Sequence, residues 1–404
     1  MSTIANPRRE ARTDVRAHFD AELSLQAVGR KLRLVYDDVL RRRRLADAAD
    51  VGDGAGGAAR STRHAGVRRT GDVAAASAPS RPDGRPLVSI VLPTFNRLHY
   101  LRITVDSIIR QSLRDWELII VDDGSAAQTR AYLQSLEDAP RTRVIWLPHT
   151  GSPAAARNAA LHAASGEFIA FIDSDDVWLP EKLAVQVSAL QSRTGCGWCY
   201  TGFALVDATG QPVTTGRALR CRPIEGWILE PLLDLRATVV MSSVLARRAL
   251  LEAAGGFDEA LWVCEEFELW MRLAQRSEIA FIDAPLVQVR RHAEHYADDV
   301  TSCEDLVRMF EALRHTDIAT QAASAFEKRR AIVSAVLARS YATSGRRGRA
   351  LGKLVTSLHY SWRYAEWWRR SAVTAAAALA PAAVTRLLHK LRPAPLAAAS
   401  PADP

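Results

Sequence analysis

Three carboxylates follow an apolar segment within four residues, and this run carries the strongest functional signal of the chain. The apolar segment is Phe168 to Ile172, and the carboxylates belong to Asp173, Asp175 and Asp176. A short apolar run with aromatic and β-branched residues predicts a buried strand, so we expect the aspartates where this strand ends and a loop begins. Like charges this close repel one another, and their burial is costly unless a cation neutralises them.

A hard divalent cation is the partner that such a cluster favours. Carboxylate oxygens suit Mg²⁺ or Mn²⁺, which are usually held by one or two carboxylates together with the phosphates of a substrate. A metal-bound diphosphate is therefore one interpretation. The other is an acidic loop that caps a helix starting near Pro180, with Asp176 solvated at the helix start. From this segment alone, both interpretations stay open.

Strands and helices alternate along the chain from Leu87 onward, which predicts βαβ units in an α/β fold with a mainly parallel sheet. The apolar strand segments are continuous, as in parallel strands covered on both faces. The predicted strands are Leu87–Leu92, Trp116–Val121, Val144–Leu147, Phe168–Ile172, Trp198–Val206, Thr238–Leu245 and Leu286–Val289. The predicted helices are Tyr100–Gln111, one from about Gln128, Ala154–Ala164 and one from Pro180 to about Leu190.

Both ends of the chain differ from this central pattern. Residues 1–48 include a stretch with the apolar spacing of an amphipathic helix. Residues 49–86 are rich in Gly, Ala, Ser, Pro and Arg and lack periodicity, which predicts a disordered linker. The pattern changes again toward the C-terminus, so we expect a folded body over 87–303 and an all-helical extension over 304–404.

The charge is distributed unevenly along the chain. The total is +8, but residues 1–86 carry +6, residues 87–304 carry −8 and residues 305–404 carry +10. An acidic centre argues against nucleic acid as a partner. The basic flanks, and the mixture of aromatic and Arg residues over 360–370, are typical of helices that bind an anionic membrane surface. A helix packed on the folded body is the alternative for 360–370, and both stay open.

The cysteines indicate a reducing compartment, with the cytoplasm as the expected location. They stand at 196, 199, 221, 264 and 303, an odd number without a regular framework. Cys196 and Cys199 have redox-motif spacing, but a strand-like segment follows them, so we interpret them as core residues. We see no secretory signal, and the weakly apolar run Ala372–Leu388 is too short to span a bilayer.

Polar residues follow the first two predicted strands. Pro93, Thr94 and Arg97 follow the first strand, and Asp123 follows the second. Because parallel strands bind ligands at their carboxyl ends, these residues are expected beside the three aspartates. Arg97 can pair with phosphate through its planar guanidinium, and carboxylates at a strand end can accept from a pyrimidine imide. Arg157 lies in the first turns of the helix after the third strand.

Four segments together, Leu87–Arg97, Trp116–Ser125, Gly151–Asn158 and Phe168–Trp178, resemble the nucleotide-binding half of the family 2 glycosyltransferases, which have the GT-A fold. Their order, spacing and strand context agree, although each motif alone is weak. The resemblance implies that nucleotide is contacted by Pro93, Thr94, Arg97, Asp123, Arg157, Asp173 and Asp175. It also implies that Asp173 and Asp175 form the Asp-x-Asp motif, with Asp175 and Asp176 around the ribose and the metal.

A second region, containing Gly255–Glu259 and Glu265–Arg272, is similar to the family's acceptor-side segment. The usual acidic pair there is Glu-Asp, and its second member is the catalytic base. Carried over, the pair is Glu265 and Glu266, with Glu266 as the base. The extra methylene of Glu moves the carboxylate by about 1.5 Å, which costs roughly a hundredfold if nothing compensates. The resemblance also implies that His292 approaches the diphosphate or the metal.

The expected function is therefore a metal-dependent inverting glycosyltransferase. It would move a sugar from a nucleotide-sugar donor, first of all a UDP-sugar, to a hydroxyl of a glycan or lipid-linked acceptor in surface polysaccharide or glycoconjugate synthesis. The alternative is a non-catalytic member that binds a nucleotide sugar or a partner within a polysaccharide assembly complex. A nucleotidyltransferase is disfavoured, because the Gly-rich phosphate loop expected after the first strand is missing from Pro93–Arg97.

Overall fold

The computed structural model describes residues 84–213, 223–291 and 299–379. The predicted N-terminal helix, nearly all of the predicted linker, Cys221 and His292 lie outside these ranges. Within them the chain forms eight strands: β1 Val88–Thr94, β2 Trp116–Asp122, β3 Thr142–Trp146, β4 Phe168–Phe171, β5 Val177–Trp178, β6 Cys196–Val206, β7 Val244–Arg247 and β8 Glu278–Arg290.

Helices connect and flank these strands. Those before the C-terminal region are α1 Leu98–Ile109, α2 Ala127–Gln134, α3 Pro153–Ala163, α4 Lys182–Ser192, α5 Leu229–Leu233, α6 Arg248–Ala254 and α7 Glu265–Arg276. The C-terminal region contains α8 Asp299–Leu313, α9 Asp317–Gln321, α10 Ala323–Thr343, α11 Arg347–Ser361 and α12 Ala365–Leu379. The described part of this region is helical throughout apart from short connections, as expected from its sequence.

All eight strands belong to one mixed sheet with the order β3-β2-β1-β4-β7-β6-β8-β5. The first four strands of this order pair in parallel, which confirms the predicted βαβ arrangement. β7 is antiparallel to both of its neighbours, and β6 pairs in parallel with β8. The carboxyl ends of β1, β2 and β4 therefore meet at one edge of the sheet, where residues that follow these strands come together.

The predicted strand Thr238–Leu245 is largely wrong. Residues 238–240 have no regular structure, a 3₁₀ turn covers Met241–Ser243, and β7 begins only at Val244. Serine side chains compete with the strand for backbone hydrogen bonds: the Ser243 hydroxyl donates to the carbonyl of Val240 at 2.7 Å. The turn has a consequence for the site, because it carries Ser242 toward the aspartate loop.

The sheet and the C-terminal helices share one hydrophobic core. Trp270 on α7 packs against Phe171 of β4 and Trp198 of β6, with ring centroids 6.2 and 5.4 Å apart. Phe310 of α8 and Phe326 of α10 are fully buried in the same core. The C-terminal helices are thus part of the packed body over the described residues.

The thiols of Cys196 and Cys199 are buried, as the sequence predicted. Cys196 and Cys199 are buried free thiols on β6, and burial raises the pKa of Cys199 to about 12. In the described part of the chain, every helix is too short or too polar to cross a membrane. Two tryptophans near the start of α12, Trp362 and Trp368, are 61% and 50% exposed.

Candidate active site

A cleft of about 310 Å³ opens where β1, β2 and β4 end. All seven predicted nucleotide-binding residues line it: Pro93, Thr94, Arg97, Asp123, Arg157, Asp173 and Asp175. These residues are separated by up to 82 positions in the sequence, yet the parallel strands bring them to one edge of the sheet, as the topology requires.

The loops after β1 and β2 form one side of the cleft and are hydrogen-bonded to each other. Asn96 follows β1 with φ of 54°, a left-handed conformation that asparagine tolerates better than most residues. Its backbone N–H donates to the Ser125 hydroxyl at 2.8 Å, and its side-chain oxygen accepts from the N–H of Ala126 at 2.6 Å. The chain after β1 is thereby fixed against the chain after β2.

Asp123 organises the rim of the cleft. One carboxylate oxygen accepts from the backbone N–H and the hydroxyl of Thr150, at 2.7 and 2.8 Å, and the other accepts from the N–H of Gly151 at 2.9 Å. Gly124 next to it has φ of 78°, and a Cβ there would lie 2.7 Å from the backbone nitrogen of His149. The close approach of the two loops therefore depends on this glycine.

Two rings in the cleft wall were missed by the sequence analysis. Phe95 and His149 stack with centroids 4.1 Å apart, and both side chains are partly exposed. Nothing local in the sequence pairs them, since they lie 54 positions apart. The signal available was their place shortly after β1 and β3, the same kind of position that selected Arg97 and Asp123. They offer a flat apolar surface of the kind on which a nucleotide base stacks.

Each member of the predicted Asp-x-Asp motif pairs with an arginine that also lines the cleft. Asp173 accepts from Arg157 Nη2 at 2.8 Å, and its side chain is 32% exposed. Asp175 pairs with Arg97 and is nearly inaccessible. Opposite charges thus alternate along the cleft floor, so that an entering phosphate would find both arginines beside the carboxylates.

Asp176 is placed differently. It does not line the cleft but is buried beneath it, where its carboxylate accepts from the Ser242 hydroxyl at 2.5 Å and from the N–H of Arg290 at 2.9 Å. Burial, followed by repulsion from Asp175 and Asp173, raises the pKa of Asp176 well above its usual range. Ser242 also accepts from the N–H of Asp173 at 3.0 Å, so this serine holds both ends of the aspartate loop.

Arg157 connects this loop to the acceptor-side helix. The helix that carries it, α3, starts with Pro153 at its first position, and the Ser152 hydroxyl caps it by accepting from the N–H of Ala155 at 3.2 Å. Arg157 Nη1 lies 2.6 Å from Glu265 Oε1 while Nη2 contacts Asp173. The buried guanidinium therefore bridges two carboxylates from the two halves of the fold.

The predicted acidic pair begins α7, where the positive end of the helix dipole favours it. Burial raises the pKa of Glu265 in spite of its pairing with Arg157. Burial also raises the pKa of Glu266 well above its usual range, and the charges of Glu265 and Asp173 raise it further. Glu266 is partly exposed and does not line the 310 Å³ cleft, but it is close enough to respond to both neighbouring carboxylates. Such a group has the affinity for a proton that a general base needs.

Glu268, one turn along α7, has a structural role. Its carboxylate pairs with Arg272 through both oxygens, with Nε 2.7 Å from Oε1. Arg272 also donates to the carbonyl of Gly256 at 2.7 Å. This pair holds α7 against the end of α6, and neither residue lines the cleft.

The carboxylates of the cleft are the candidate ligands for Mg²⁺ or Mn²⁺. In residues 84–213, 223–291 and 299–379, no three His, Cys, Asp or Glu side chains form a ready metal cluster. Asp173 and Asp175 nonetheless present hard carboxylate oxygens at the cleft, and two carboxylates suffice for an ion that also binds substrate phosphates. Their oxygens fit such an ion, whereas Asp176 is already occupied by Ser242 and Arg290. His292 lies outside the described residues.

One tryptophan borders the cleft. Trp262 is 55% exposed, and a Cβ on Gly151 would lie 3.2 Å from its ring. A residue of the C-terminal helices fixes the loop that carries Trp262. Asp305 of α8 accepts hydrogen bonds from the backbone N–H groups of Trp262 and Val263 at 2.8 and 2.9 Å. The C-terminal helices therefore support the segment that leads into Glu265 and Glu266.

Comparisons with known proteins agree with this geometry. The family model described as glycosyl transferase family 2 matches residues 89–214, which contain every predicted nucleotide-binding residue. This part of the chain is a family 2 glycosyltransferase domain. The chain is 41% identical over 130 residues to TuaG of Bacillus subtilis, described as a teichuronic acid biosynthesis glycosyltransferase; the match covers 32% of this chain and 51% of TuaG. It is 35% identical over 121 residues to WfgD of Escherichia coli, a UDP-Glc:alpha-D-GlcNAc-diphosphoundecaprenol beta-1,3-glucosyltransferase, with 30% of this chain and 47% of WfgD covered.

The matched segment thus spans about half the length of these two relatives. A crystal structure of S. aureus TarS residues 1–349 resembles more of this chain, covering 71% of the chain and 90% of the TarS fragment. The TM-score is 0.50 and the sequence identity 18%, so the likeness concerns the fold. The fold is the GT-A fold that the resemblance implied.

Proposed function

We propose that the protein is a metal-dependent inverting glycosyltransferase that transfers a sugar from a nucleotide-sugar donor to an acceptor hydroxyl. The observation that carries this proposal is the bridge Asp173–Arg157–Glu265, which joins the donor-side aspartate loop to the start of the acceptor-side helix. A site for nucleotide binding alone would not require the two halves to be coupled at this point. The acidic pair of α7 is thereby held next to the place where a donor diphosphate would lie.

The charged residues of the cleft are the reason for placing the donor there. Arg97 and Arg157 would contact the diphosphate, and Phe95 with His149 would provide the surface for the base. Asp175, with Asp173 beside it, would hold Mg²⁺ or Mn²⁺. When bound, the metal offsets negative charge on the leaving diphosphate.

Glu266 is assigned the role of general base. Its carboxylate accepts the proton of the acceptor hydroxyl as that oxygen attacks the anomeric carbon. The bond between the anomeric carbon and the diphosphate oxygen breaks on the opposite face, and the nucleoside diphosphate leaves with the electron pair. One displacement inverts the anomeric centre. Glu265, held by Arg157, fixes the start of α7 so that Glu266 is positioned for this transfer.

UDP-sugars are the first donors to test, and lipid-linked glycans the first acceptors. WfgD, to which 30% of this chain is similar, uses UDP-Glc and a diphosphoundecaprenol-linked acceptor according to its name. A lipid-linked acceptor is anchored in a membrane, and the exposed Trp362 and Trp368 next to Arg363 and Arg369 would suit peripheral contact with its surface. Co-sedimentation with anionic vesicles tests this contact: replacing both tryptophans by serine should reduce binding, and equal binding of both proteins would refute it.

The decisive experiment is a donor screen. The purified protein is incubated with Mn²⁺ or Mg²⁺, a panel of UDP-, GDP- and dTDP-sugars and membrane extract as the source of acceptor, and released nucleotide is measured. Release that requires the metal and disappears in Glu266→Gln supports the proposal. Binding of a donor without release, in the presence of every acceptor fraction, favours the non-catalytic alternative.

A further inference from the structure

A second cavity, of about 290 Å³, lies between the turn after α5 and the helices α10 and α12. It is well separated in sequence from the active-site cleft and shares no lining residue with it. Three cations line it, Lys328, Arg329 and Arg370, together with the carboxylates Asp234 and Glu366. None of these residues has a role in the proposed transfer reaction.

Arg329 is the unusual member of this set. It is only 4% exposed, and its Nε and Nη2 atoms lack hydrogen-bond partners among the described residues. Burial and the nearby charge of Arg370 lower the pKa of Arg329 to about 10, so the group is still a cation at neutral pH. A buried guanidinium without a partner is costly, and proteins normally satisfy one with an anion.

The adjacent residue provides an internal comparison. Arg330 is equally buried, but it pairs with Glu311 at 3.0 Å and Glu327 at 3.1 Å and lies 3.8 Å from the centre of the Tyr360 ring. Side chains of three helices therefore surround one buried arginine, whereas the preceding arginine faces a cavity.

The carboxylates in the cavity are already engaged. Asp234 pairs with Lys328 at 3.2 Å, and Glu366 pairs with Arg370 at 2.7 Å. Each carboxylate has its own cation, so the charge of Arg329 is the one left over. We propose that this cavity binds a phosphate group, with Arg329 as the central ligand and Arg370 and Lys328 as supporting cations.

Phosphate suits these groups for geometric reasons. A guanidinium presents parallel N–H donors that match two oxygens of one phosphate, and the three cations of the cavity outnumber its two carboxylates, which favours an anion. The phosphate can belong to a soluble molecule or to a lipid headgroup. The exposed Trp362 and Trp368 beside the start of α12, the helix that also carries Arg370, are consistent with the second source.

The first test is equilibrium dialysis of the full chain with radiolabelled inorganic phosphate at constant ionic strength. The active-site cleft also attracts phosphate, so the quantity of interest is the difference between proteins. We expect Arg329→Gln to lose one equivalent of binding, or to bind it at least tenfold more weakly. Arg370→Gln should weaken the same equivalent. Arg346→Gln, an exposed arginine outside the cavity, should bind as the unsubstituted protein does.

Vesicles of phosphatidic acid and of phosphatidylcholine distinguish the two sources. Capture by phosphatidic acid that falls at least tenfold in Arg329→Gln and is competed by inorganic phosphate identifies a lipid headgroup. Capture unaffected by the substitution, together with the lost equivalent in dialysis, identifies a soluble phosphate. If Arg329→Gln and Arg370→Gln match the unsubstituted protein in both assays, the proposal is wrong. If Arg329→Gln does not fold, Arg370→Gln decides between these outcomes.

Discussion

Arg157 Nη1 and Glu265 Oε1 lie 2.6 Å apart, in an ion pair that links residues 108 positions apart in the chain. Because the same guanidinium also contacts Asp173, Arg157 neutralises part of a cluster in which three carboxylates surround one cation. The order of the active site depends on this single residue more than on any of the carboxylates it contacts.

Replacing Arg157 by Met should therefore lower kcat/KM by roughly a hundredfold, since the bridge that positions both halves is lost. It should also shift the acidic limb of the pH profile upward, because Arg157 lowers the pKa of Glu266. The measurement is kcat/KM against pH. Arg272→Met is the matched control: it breaks a comparable pair on α7 and should reduce stability without moving the pH profile. An unchanged profile in Arg157→Met would exclude the bridging role.

Asp175→Ala should abolish transfer, because the carboxylate proposed to hold the metal is removed and Arg97 loses its partner. We expect a loss of at least about 10³ in kcat at saturating donor, consistent with the loss of a Lewis acid at the leaving group. Nucleotide release is measured across a Mn²⁺ titration. Asp138→Asn, at an exposed position, is the control. Turnover near the normal rate in Asp175→Ala would contradict the metal assignment.

Glu266→Gln should reduce kcat by roughly 10²–10⁴, the range of general-base contributions. The pKa of Glu266 is raised, and a base acts only when ionised, so activity should rise with pH through this elevated pKa and fall below it. Rates measured from pH 5 to 9 would show this limb in the unsubstituted protein and not in the variant. Glu268→Gln makes the same change on the same helix outside the cleft and should leave the limb in place.

Asp305→Ala tests whether the C-terminal helices support catalysis. The substitution leaves the N–H groups of Trp262 and Val263 without their acceptor, at a cost of about 1–3 kcal/mol each if they stay dry. We expect a higher acceptor KM and a lower kcat with an unchanged Kd for the donor nucleotide. Asp317→Ala, an exposed aspartate of α9, should change none of these constants. Weaker donor binding in Asp305→Ala would indicate a general loss of structure instead.

Lys182→Met concerns stability. Lys182 is fully buried 3.9 Å from the centre of the Trp178 ring, and burial lowers its pKa to about 7. The unfolded chain then binds more protons than the folded one between about pH 7 and the usual lysine pKa of about 10.4, so stability should increase with pH over this window. The variant should remove that slope and gain on the order of 2–4 kcal/mol near pH 7. Denaturant unfolding at pH 7 and 9.5 measures both effects. Lys353→Met, at a partly exposed lysine, should show a smaller change.

The parallel half of the fold was predictable because each of its strands is a continuous apolar run bounded by polar turns. β1, β2 and β4 begin within one residue of their predicted positions, and the residues that follow them line the cleft together. The seven residues predicted to bind nucleotide were selected by their position after the strand ends and by resemblance, and the parallel topology brings them into one cleft.

The antiparallel half was less predictable. β8 runs for 13 residues from Glu278, whereas its sequence suggested a strand only over Leu286–Val289, because the partner β6 decides its length and pairing. Ser242 was missed for a similar reason. A lone serine in an apolar stretch shows no functional signal, and it contacts Asp176, 66 positions away in the sequence, only once the intervening chain has folded.

The continuous core from Phe171 through Trp270 to Phe310 and Phe326 has a consequence for how such proteins can be recombined. The family match ends at residue 214, before β7, β8 and the C-terminal helices, although β6 within it already packs in their core. A chimera that exchanges the donor half therefore has to preserve the pairing of β4 with β7 and the contact of Arg157 with Glu265. A replacement acceptor half would need its own C-terminal helices, because the two share one core. We therefore expect acceptor specificity and the sequence of the helical region to change together in evolution.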